Sequence, residues 1–246
     1  MSTNETHAFY QSTYKDFGFK TQRMYPNEEL CRFMGRKYFD KDLEERKNIN
    51  MLEVGCGSGA NLWMLAKEGF NAFGLDESKE ALTLCKRMLS SYRCEASLAN
   101  SSMTNLPYED NSMDVIIDIF SSNCISDIEF EEFGIEVHRV LKPEGYFFTY
   151  FPSKNSDAWK KADDNDRINK NTLRGILREQ SPFFGNNYPF RFLSIDEYEK
   201  NLFGVGLQTQ YKETVSRTYN NGSEYFEFIV IEAQKPTKNM QKSERL

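Results

Sequence analysis

The chain shows two hydrophobic periods, and the changes between them predict alternating strands and helices. Residues 49–54 form a short apolar run, which is typical of a buried strand. Three glycines alternate directly after this run: Gly55, Gly57 and Gly59. Residues 60–69 then carry apolar side chains at helical spacing, and residues 70–76 form a second apolar run that ends in an acid. Because glycines let the chain turn sharply, this order predicts a βαβ unit.

Later parts of the chain continue the same pattern. Further apolar runs predict strands at residues 93–99, 112–120, 145–152, 207–219 and 224–233. The last two runs are joined through Asn-Asn-Gly, a hairpin signal. The run from 112 to 120 is nearly continuous, as expected for a parallel strand that is buried on both faces.

The first βαβ unit also indicates the kind of ligand. Asp76 follows the glycine turn by about 20 residues, where an acid would hold the hydroxyl groups of a ribose. A dinucleotide motif would place its third glycine at position 60, which is Ala60 here. Glu53 lies just before the turn, where it would repel a pyrophosphate and attract a cation. The pattern favours a positively charged nucleoside over NAD, although an NAD-dependent oxidoreductase stays an alternative.

Three blocks in order resemble the class I S-adenosylmethionine-dependent methyltransferases. Residues 52–59, Leu-Glu-Val-Gly-Cys-Gly-Ser-Gly, resemble motif I of that family. Residues 106–117 resemble its fourth-strand block, and residues 136–148 resemble its fifth-strand block. The resemblance covers about residues 49–152. It implies an α/β fold with a doubly wound, Rossmann-like seven-stranded sheet, mostly parallel, with a C-terminal antiparallel hairpin. It also implies a transferase whose cofactor is S-adenosyl-L-methionine.

The resemblance, together with the order of the strands, implies which residues bind the cofactor. They lie at the carboxyl ends of the first four strands, where ligands bind in such sheets. The predicted set is Glu53, Gly55, Cys56, Gly57, Gly59, Asn61, Asp76, Glu77, Ser78, Ser102, Met103 and Ser121. Ser102 departs from the family pattern, because many relatives have an aspartate there that accepts a hydrogen bond from the adenine amino group.

Composition and charge narrow the class of partner. The net charge of −6 gives no basic stripe of the kind that nucleic acids require. Two histidines and five cysteines without a C-x-x-C pair predict no metal site and no disulfide framework. No leader and no membrane-length apolar run is visible in the sequence, so we expect a cytoplasmic protein of small-molecule metabolism with no membrane partner. Monomer and homodimer both stay open.

The domain prediction has three parts. Residues 1–48 form an N-terminal segment and helix that, by resemblance, folds over the cofactor as a lid, or else packs onto the domain through its aromatic side chains. Residues 49–234 form the methyltransferase domain, with an insertion at 153–194 in which we expect a helix over 172–180. Residues 235–246 are expected to be a disordered tail.

The acceptor site is predicted from the segments that leave the carboxyl edge of the sheet. Tyr14, Arg23, Asn123 and Arg191 are the candidate acceptor-binding residues. The arginines suggest a phosphorylated or nucleotide-linked small molecule, methylated on oxygen or nitrogen. An oxygen acceptor would need a base, for which Tyr10, Tyr14 and Asp127 are the candidates. A protein that binds the cofactor without turnover is the other alternative.

Overall fold

The computed structural model describes residues 3–237, and its centre is a seven-stranded sheet. Five strands are parallel: β1 (Asn50–Val54), β2 (Asn71–Asp76), β3 (Ser97–Asn100), β4 (Met113–Ile119) and β5 (Leu141–Pro152). A terminal hairpin of β8 (Gln208–Tyr219) and β9 (Glu224–Gln234) adds antiparallel to β5. The order β3-β2-β1-β4-β5-β9-β8 confirms the predicted doubly wound sheet.

Helices cover both faces of this sheet. They are α1 (Thr3–Phe17), α2 (Glu28–Lys37), α3 (Leu43–Arg46), α4 (Leu62–Lys67), α5 (Lys79–Tyr92), α6 (Asp127–Val140), α7 (Asp157–Lys160) and α8 (Ile195–Gly204). Side chains that alternate along β4 divide between two cores: Val115 and Ile117 join the core with α2, α4 and α5, and Ile116 joins the core with α6 and α8. Both faces of β4 are therefore buried, as its continuous apolar run predicts.

The predicted helix over 172–180 is wrong. Thr172–Leu173 instead forms a short strand, β6, that pairs with β7 (Phe190–Arg191), and the chain from 174 to 180 is irregular. The backbone N–H of Ile176 donates to the carbonyl of Asn186, 2.9 Å away, rather than to a helical partner. Leu173 and Ile176 are buried with the aromatic side chains of the insertion, so tertiary packing prevails over helical periodicity here.

The N- and C-terminal segments also differ from the simplest expectation. The aromatic N-terminal segment lacks a clear period, yet residues 3–17 form helix α1, which packs on α5. Lys235, which the prediction placed in a disordered tail, donates from Nζ to the carbonyls of His138 and Leu141 at 2.7 and 2.8 Å. The rest of that prediction, residues 238–246, lies outside the described residues. Within residues 3–237, none of the helices combines the length and the apolar character that a bilayer crossing requires.

Candidate functional site

The turn between β1 and α4 forms the floor of a cavity of about 380 Å³ at the carboxyl edge of the sheet. Gly55 and Gly57 have φ angles of +61° and +53°, in the left-handed region that favours glycine. A Cβ at Gly57 would lie 2.7 Å from the Tyr14 hydroxyl, and one at Gly55 would lie 2.3 Å from Ser121 Oγ. Glycine is therefore favoured at both positions, because a larger residue would be strained at these φ angles and would overlap Tyr14 or Ser121.

Glu53 places a buried carboxylate in this cavity. It ends β1 beside the turn and is only 3% exposed. One oxygen, Oε1, accepts a short hydrogen bond from Asn61 Nδ2, whereas Oε2 is buried and has no hydrogen-bond partner among the described residues. Burial raises the pKa of Glu53 to about 8, although the hydrogen bond from Asn61 and the nearby charge of Arg23 oppose that rise. A positively charged ligand group would satisfy the free oxygen and lower this pKa.

Arg23 approaches the same end of the cavity. Its Nη2 donates to Asn61 Oδ1 over 3.2 Å, and that oxygen also accepts from the backbone N–H of Asn27 at 2.8 Å. Although Arg23 is an exposed residue overall, desolvation of its guanidinium lowers its pKa, and Glu53 opposes that shift. The structure thus brings Arg23 to predicted cofactor residues rather than to a separate acceptor subsite.

Asp76 ends β2 on the opposite side of the turn. Its Oδ2 accepts from the backbone N–H of Gly57 at 2.9 Å, and its Oδ1 accepts from the backbone N–H of Ser78 at 2.8 Å. Burial raises the pKa of this carboxyl, and the two backbone donors oppose that rise. Glu77 and Ser78 follow it in the lining, and Ser78 caps α5 by accepting from the backbone N–H of Ala81. The carboxylate both fixes the glycine turn and faces the cavity.

Helix α1 covers the cavity. Tyr14 is 8% exposed and presents its hydroxyl to Gly57. Tyr10 contacts the insertion, because its hydroxyl lies 2.7 Å from that of Tyr188. Thr6 Oγ1 also donates to the carbonyl of Cys124 over 3.2 Å. The N-terminal segment therefore contacts both the glycine turn and the insertion across the cavity.

The segment after β4 forms another wall. Asp118 is fully buried and accepts from the backbone N–H groups of Ser121 and Ser122 at 3.2 and 3.1 Å. These bonds fix Phe120 at a φ of +59°, which is uncommon for a bulky residue. Ser121 Oγ donates to the carbonyl of Gly55 over 3.2 Å and so joins the two walls. Neither Asp118 nor Phe120 was predicted as a site residue, although an acid near the carboxyl end of the apolar run 112–120 was an available signal for Asp118.

Most of the predicted site residues line this single cavity. They are Tyr10, Tyr14, Arg23, Glu53, Gly55, Cys56, Gly57, Asn61, Asp76, Glu77, Ser78, Met103 and Ser121. Gly59 lies behind the turn, where a Cβ would meet Cys85 Sγ at 2.7 Å. Ser102 turns to Thr104, whose hydroxyl is 3.0 Å from its own, and Ser101 takes its place in the lining.

Three of the predicted acceptor or base residues are not brought to the cavity. Arg191 is 2% exposed, donates to the carbonyl of Ile125 at 3.0 Å and pairs with Asp127 at 2.9 Å. Asp127 also accepts from Asn169 Nδ2 at 2.8 Å. Asn123 is fully buried, and neither atom of its amide has a partner among the described residues. Arg191 and Asn123 are buried away from the cavity, because the insertion packs against the segment after β4, and the half-exposed Asp127 pairs with Arg191 at the edge of this contact.

Between residues 3 and 237, no three His, Cys, Asp or Glu side chains come together in an arrangement that could hold a metal ion. The five cysteines are free thiols.

Fold and site together define a class of protein. A doubly wound sheet whose first two strands end in a glycine turn and in acids is a nucleoside-binding architecture. The unpaired, buried oxygen of Glu53 distinguishes this cavity from a pyrophosphate site, because the ionised form of Glu53 would repel a phosphate and attract a cation.

Comparison with known proteins indicates the family to which the central part of the chain is similar. Residues 51–145 match the family model of a methyltransferase domain. The phthiotriol/phenolphthiotriol dimycocerosates methyltransferase of Mycobacterium tuberculosis is 33% identical over 140 residues, which are 51% of this chain and 50% of that protein. The fatty-acid O-methyltransferase of Mycolicibacterium smegmatis is 31% identical over 144 residues, 55% of this chain and 50% of that protein. These matches support a class I S-adenosylmethionine-dependent methyltransferase family for the domain that contains residues 51–145.

A solved structure shares the fold over most of the chain. The structure of a methyltransferase from Methanosarcina mazei superposes with a TM-score of 0.64 at 21% identity and covers 77% of this chain and 93% of that one. The chain spans about half the length of the two relatives named above, and these alignments leave the acceptor undefined.

The cavity fits the family's cofactor, S-adenosyl-L-methionine. Its methionyl part carries an ammonium group, for which Glu53 Oε2 offers a free and buried acceptor. Its carboxylate would find the Arg23 guanidinium beside Glu53, and its ribose would find Asp76. The glycine turn leaves room for close approach to the backbone between these three groups.

Proposed function

We propose that this protein catalyses methyl transfer from S-adenosyl-L-methionine to a small molecule. The observation that carries the proposal is the buried carboxylate oxygen of Glu53, which has no hydrogen-bond partner among the described residues and faces the glycine turn in the same cavity as Asp76. A buried carboxyl oxygen without a partner is costly to the fold, and a cationic ligand group would both pair with it and favour the ionised form of Glu53.

In the proposed complex, four residues of the lining have separate tasks. Glu53 holds the ammonium group and Asp76 holds the ribose hydroxyls, because both carboxylates line the cavity on opposite sides of the glycine turn. Arg23 holds the methionyl carboxylate, a revision of its predicted acceptor role that follows from its hydrogen bond to Asn61. Met103 packs against the adenine ring with its apolar side chain.

The bound cofactor supplies a methyl group that its positively charged sulfur already activates. The protein's part is therefore to orient the acceptor, hold it in line with that methyl group and exclude water, effects that reach about 7–11 kcal/mol in well-oriented reactions. Helix α1 supports water exclusion, because its contacts extend from the glycine turn to the insertion. No nucleophile from the protein is required.

The proposed acceptor is a small molecule that enters between α1, the segment after β4 and the insertion. An anionic acceptor was predicted from Arg23 and Arg191. The position of Arg191 does not support an anionic acceptor, because its guanidinium is paired with Asp127. Among the arginines, Arg23 alone remains near the cavity in the described lining. We therefore propose no requirement for a phosphate group.

Calorimetric titration tests the proposal directly. S-adenosyl-L-methionine and S-adenosyl-L-homocysteine should bind to the full chain, and NAD should not. Transfer of a labelled methyl group to one member of a panel of small amines, phenols and heteroaromatic compounds should then follow. Binding of NAD with no binding of either sulfur cofactor would replace the proposal with an oxidoreductase, and cofactor binding without transfer to any acceptor would favour a silent binding protein.

A further inference from the structure

The walls of the cavity differ in charge. The acidic and basic side chains in its described lining are His7, Arg23, Glu53, Asp76 and Glu77. Glu53, Asp76 and Glu77 lie at the ends of β1 and β2, and a ring nitrogen of His7 lies 3.4 Å from the carbonyl of Glu77. Arg23 bonds to Asn61 at the start of α4. All five of these side chains thus belong to the end where the cofactor is proposed to bind.

The opposite wall is uncharged and rich in aromatic rings. It combines the residues that follow β4, the insertion residue Phe183 and Tyr10 of α1. Phe120 and Phe183 are stacked, with their ring centroids 4.7 Å apart and their planes at 22°. The ring of Phe120 also contacts Phe190 and Phe228, at 5.6 and 5.7 Å. This wall is held in place by the core, so it presents a fixed apolar surface to the ligand.

The same wall contains hydroxyl and thiol groups, whereas the carboxyl and imidazole groups of the described lining lie at the cofactor end. The Tyr10 hydroxyl forms a hydrogen bond with the Tyr188 hydroxyl, 2.7 Å away. Burial raises the pKa of Tyr10, and it raises that of the Cys124 thiol to about 12, so both groups are neutral at pH 7. An alcohol bound here would find no carboxylate or imidazole to remove its proton.

We propose that the acceptor is an uncharged, flat heteroaromatic compound that receives the methyl group on a nitrogen lone pair. This inference rests on the proposed function. The nitrogen forms a new bond to the methyl carbon, the bond from sulfur to carbon breaks with its electron pair left on sulfur, and no proton is transferred. The positive charge moves from sulfur to the acceptor ring. Phe120, Phe183 and Tyr10 then face the charge as it develops, and aromatic faces attract cations.

The test uses the full chain loaded with S-adenosyl-L-homocysteine and measures the binding of three probes by calorimetry. The probes are quinoline, decanol and phenyl phosphate, which represent a flat neutral base, a lipid-like alcohol and an anionic aromatic compound. Quinoline should bind at least about tenfold more tightly than either other probe. With S-adenosyl-L-methionine in place of S-adenosyl-L-homocysteine, N-methylquinolinium should form.

Adjacent phenylalanines provide a matched pair of variants. Phe183→Ala and Phe183→Leu should each weaken quinoline binding by about tenfold, the second because it keeps apolar volume but loses the ring. Phe184→Ala should leave quinoline binding unchanged, because Phe184 is 55% exposed and does not line the cavity among the described residues. Phe183→Tyr should retain binding.

The two proposals fail in different ways. If neither sulfur cofactor binds to the wild-type chain, the proposed function is wrong. If S-adenosyl-L-homocysteine binds but quinoline binds no better than decanol or phenyl phosphate, only the acceptor inference is overturned. Tight quinoline binding that is equally strong in Phe183→Leu would also overturn it, since the site would then lie away from the aromatic wall.

Discussion

Replacing Glu53 with Gln removes one negative charge from the cavity and keeps the shape of the side chain. In the free protein, burial raises the pKa of Glu53 from 4.5 to about 8. A carboxyl whose pKa is raised on folding stabilises the fold most below pH 4.5, and this contribution is lost as the pH rises through 8. The shift corresponds to about 5 kcal/mol at high pH, a value that local relaxation reduces.

Glu53→Gln should therefore flatten the pH dependence of stability. Without cofactor, the wild-type free energy of unfolding should fall between pH 5 and 9, whereas that of the variant should change less. At pH 9 the variant should be more stable than wild type by a few kcal/mol, because it has no buried charge to accommodate. Urea denaturation at constant ionic strength measures both curves.

The cofactor should bind only to the ionised form of Glu53, if that residue pairs with the ammonium group. The apparent affinity should then rise about tenfold per pH unit well below pH 8, and about 25-fold between pH 6.0 and 7.5. Titrations with S-adenosyl-L-homocysteine over this interval avoid the higher pH at which the ligand's own amino group loses its proton. In Glu53→Gln, binding should be weaker and nearly independent of pH.

Two controls isolate this effect. Both proteins should carry His7→Gln, so that the imidazole in the lining does not contribute to the slope. Glu224→Gln removes another fully buried carboxylate, which pairs with Arg178 outside the lining of the cavity, and should leave the pH dependence of cofactor affinity intact. A Glu53→Gln variant that keeps the wild-type slope would refute the role of Glu53.

Three further predictions follow from the positions of other side chains. Asp76→Ala should weaken S-adenosyl-L-homocysteine binding at least about tenfold in calorimetry, and unchanged affinity in a folded variant would remove the ribose assignment. Arg23→Ala should likewise lower cofactor affinity, whereas Arg191→Ala should lower the free energy of unfolding by about 1–3 kcal/mol with cofactor affinity preserved. The opposite pattern would restore Arg191 as a ligand residue. EDTA should leave methyl transfer unchanged, and loss of transfer that one added metal restores would contradict the metal-free prediction.

Local chemistry explains why the cofactor end of the cavity was predictable. The glycines, Glu53 and Asp76 lie at the ends of strands that hydrophobic runs define, and parallel strands bring their carboxyl ends to one edge. Their approximate positions therefore follow from sequence order, without knowledge of which distant residues pack together. Ser121 was predicted on the same grounds and lies in the lining.

Distant packing explains why the acceptor end was not predictable. Arg191 pairs with Asp127 because β7 packs beside the segment after β4, a contact that no local pattern encodes. The irregular chain after β6 depends on hydrogen bonds to residues about ten positions away. Phe183 and Phe184 are indistinguishable in sequence, yet only Phe183 lines the cavity in the described structure.

The unequal distribution of charge also bears on the rate of the proposed transfer. A carboxylate beside the sulfonium would stabilise the positive charge before transfer and slow the reaction, since only interactions that strengthen in the transition state accelerate it. In the proposed complex, Glu53 and Asp76 instead pair with the ammonium group and the ribose hydroxyls. The aromatic wall of Phe120, Phe183 and Tyr10 faces the acceptor, where positive charge appears only as the methyl group moves. Tight cofactor binding and fast transfer can therefore be improved separately, because different walls of the cavity provide them.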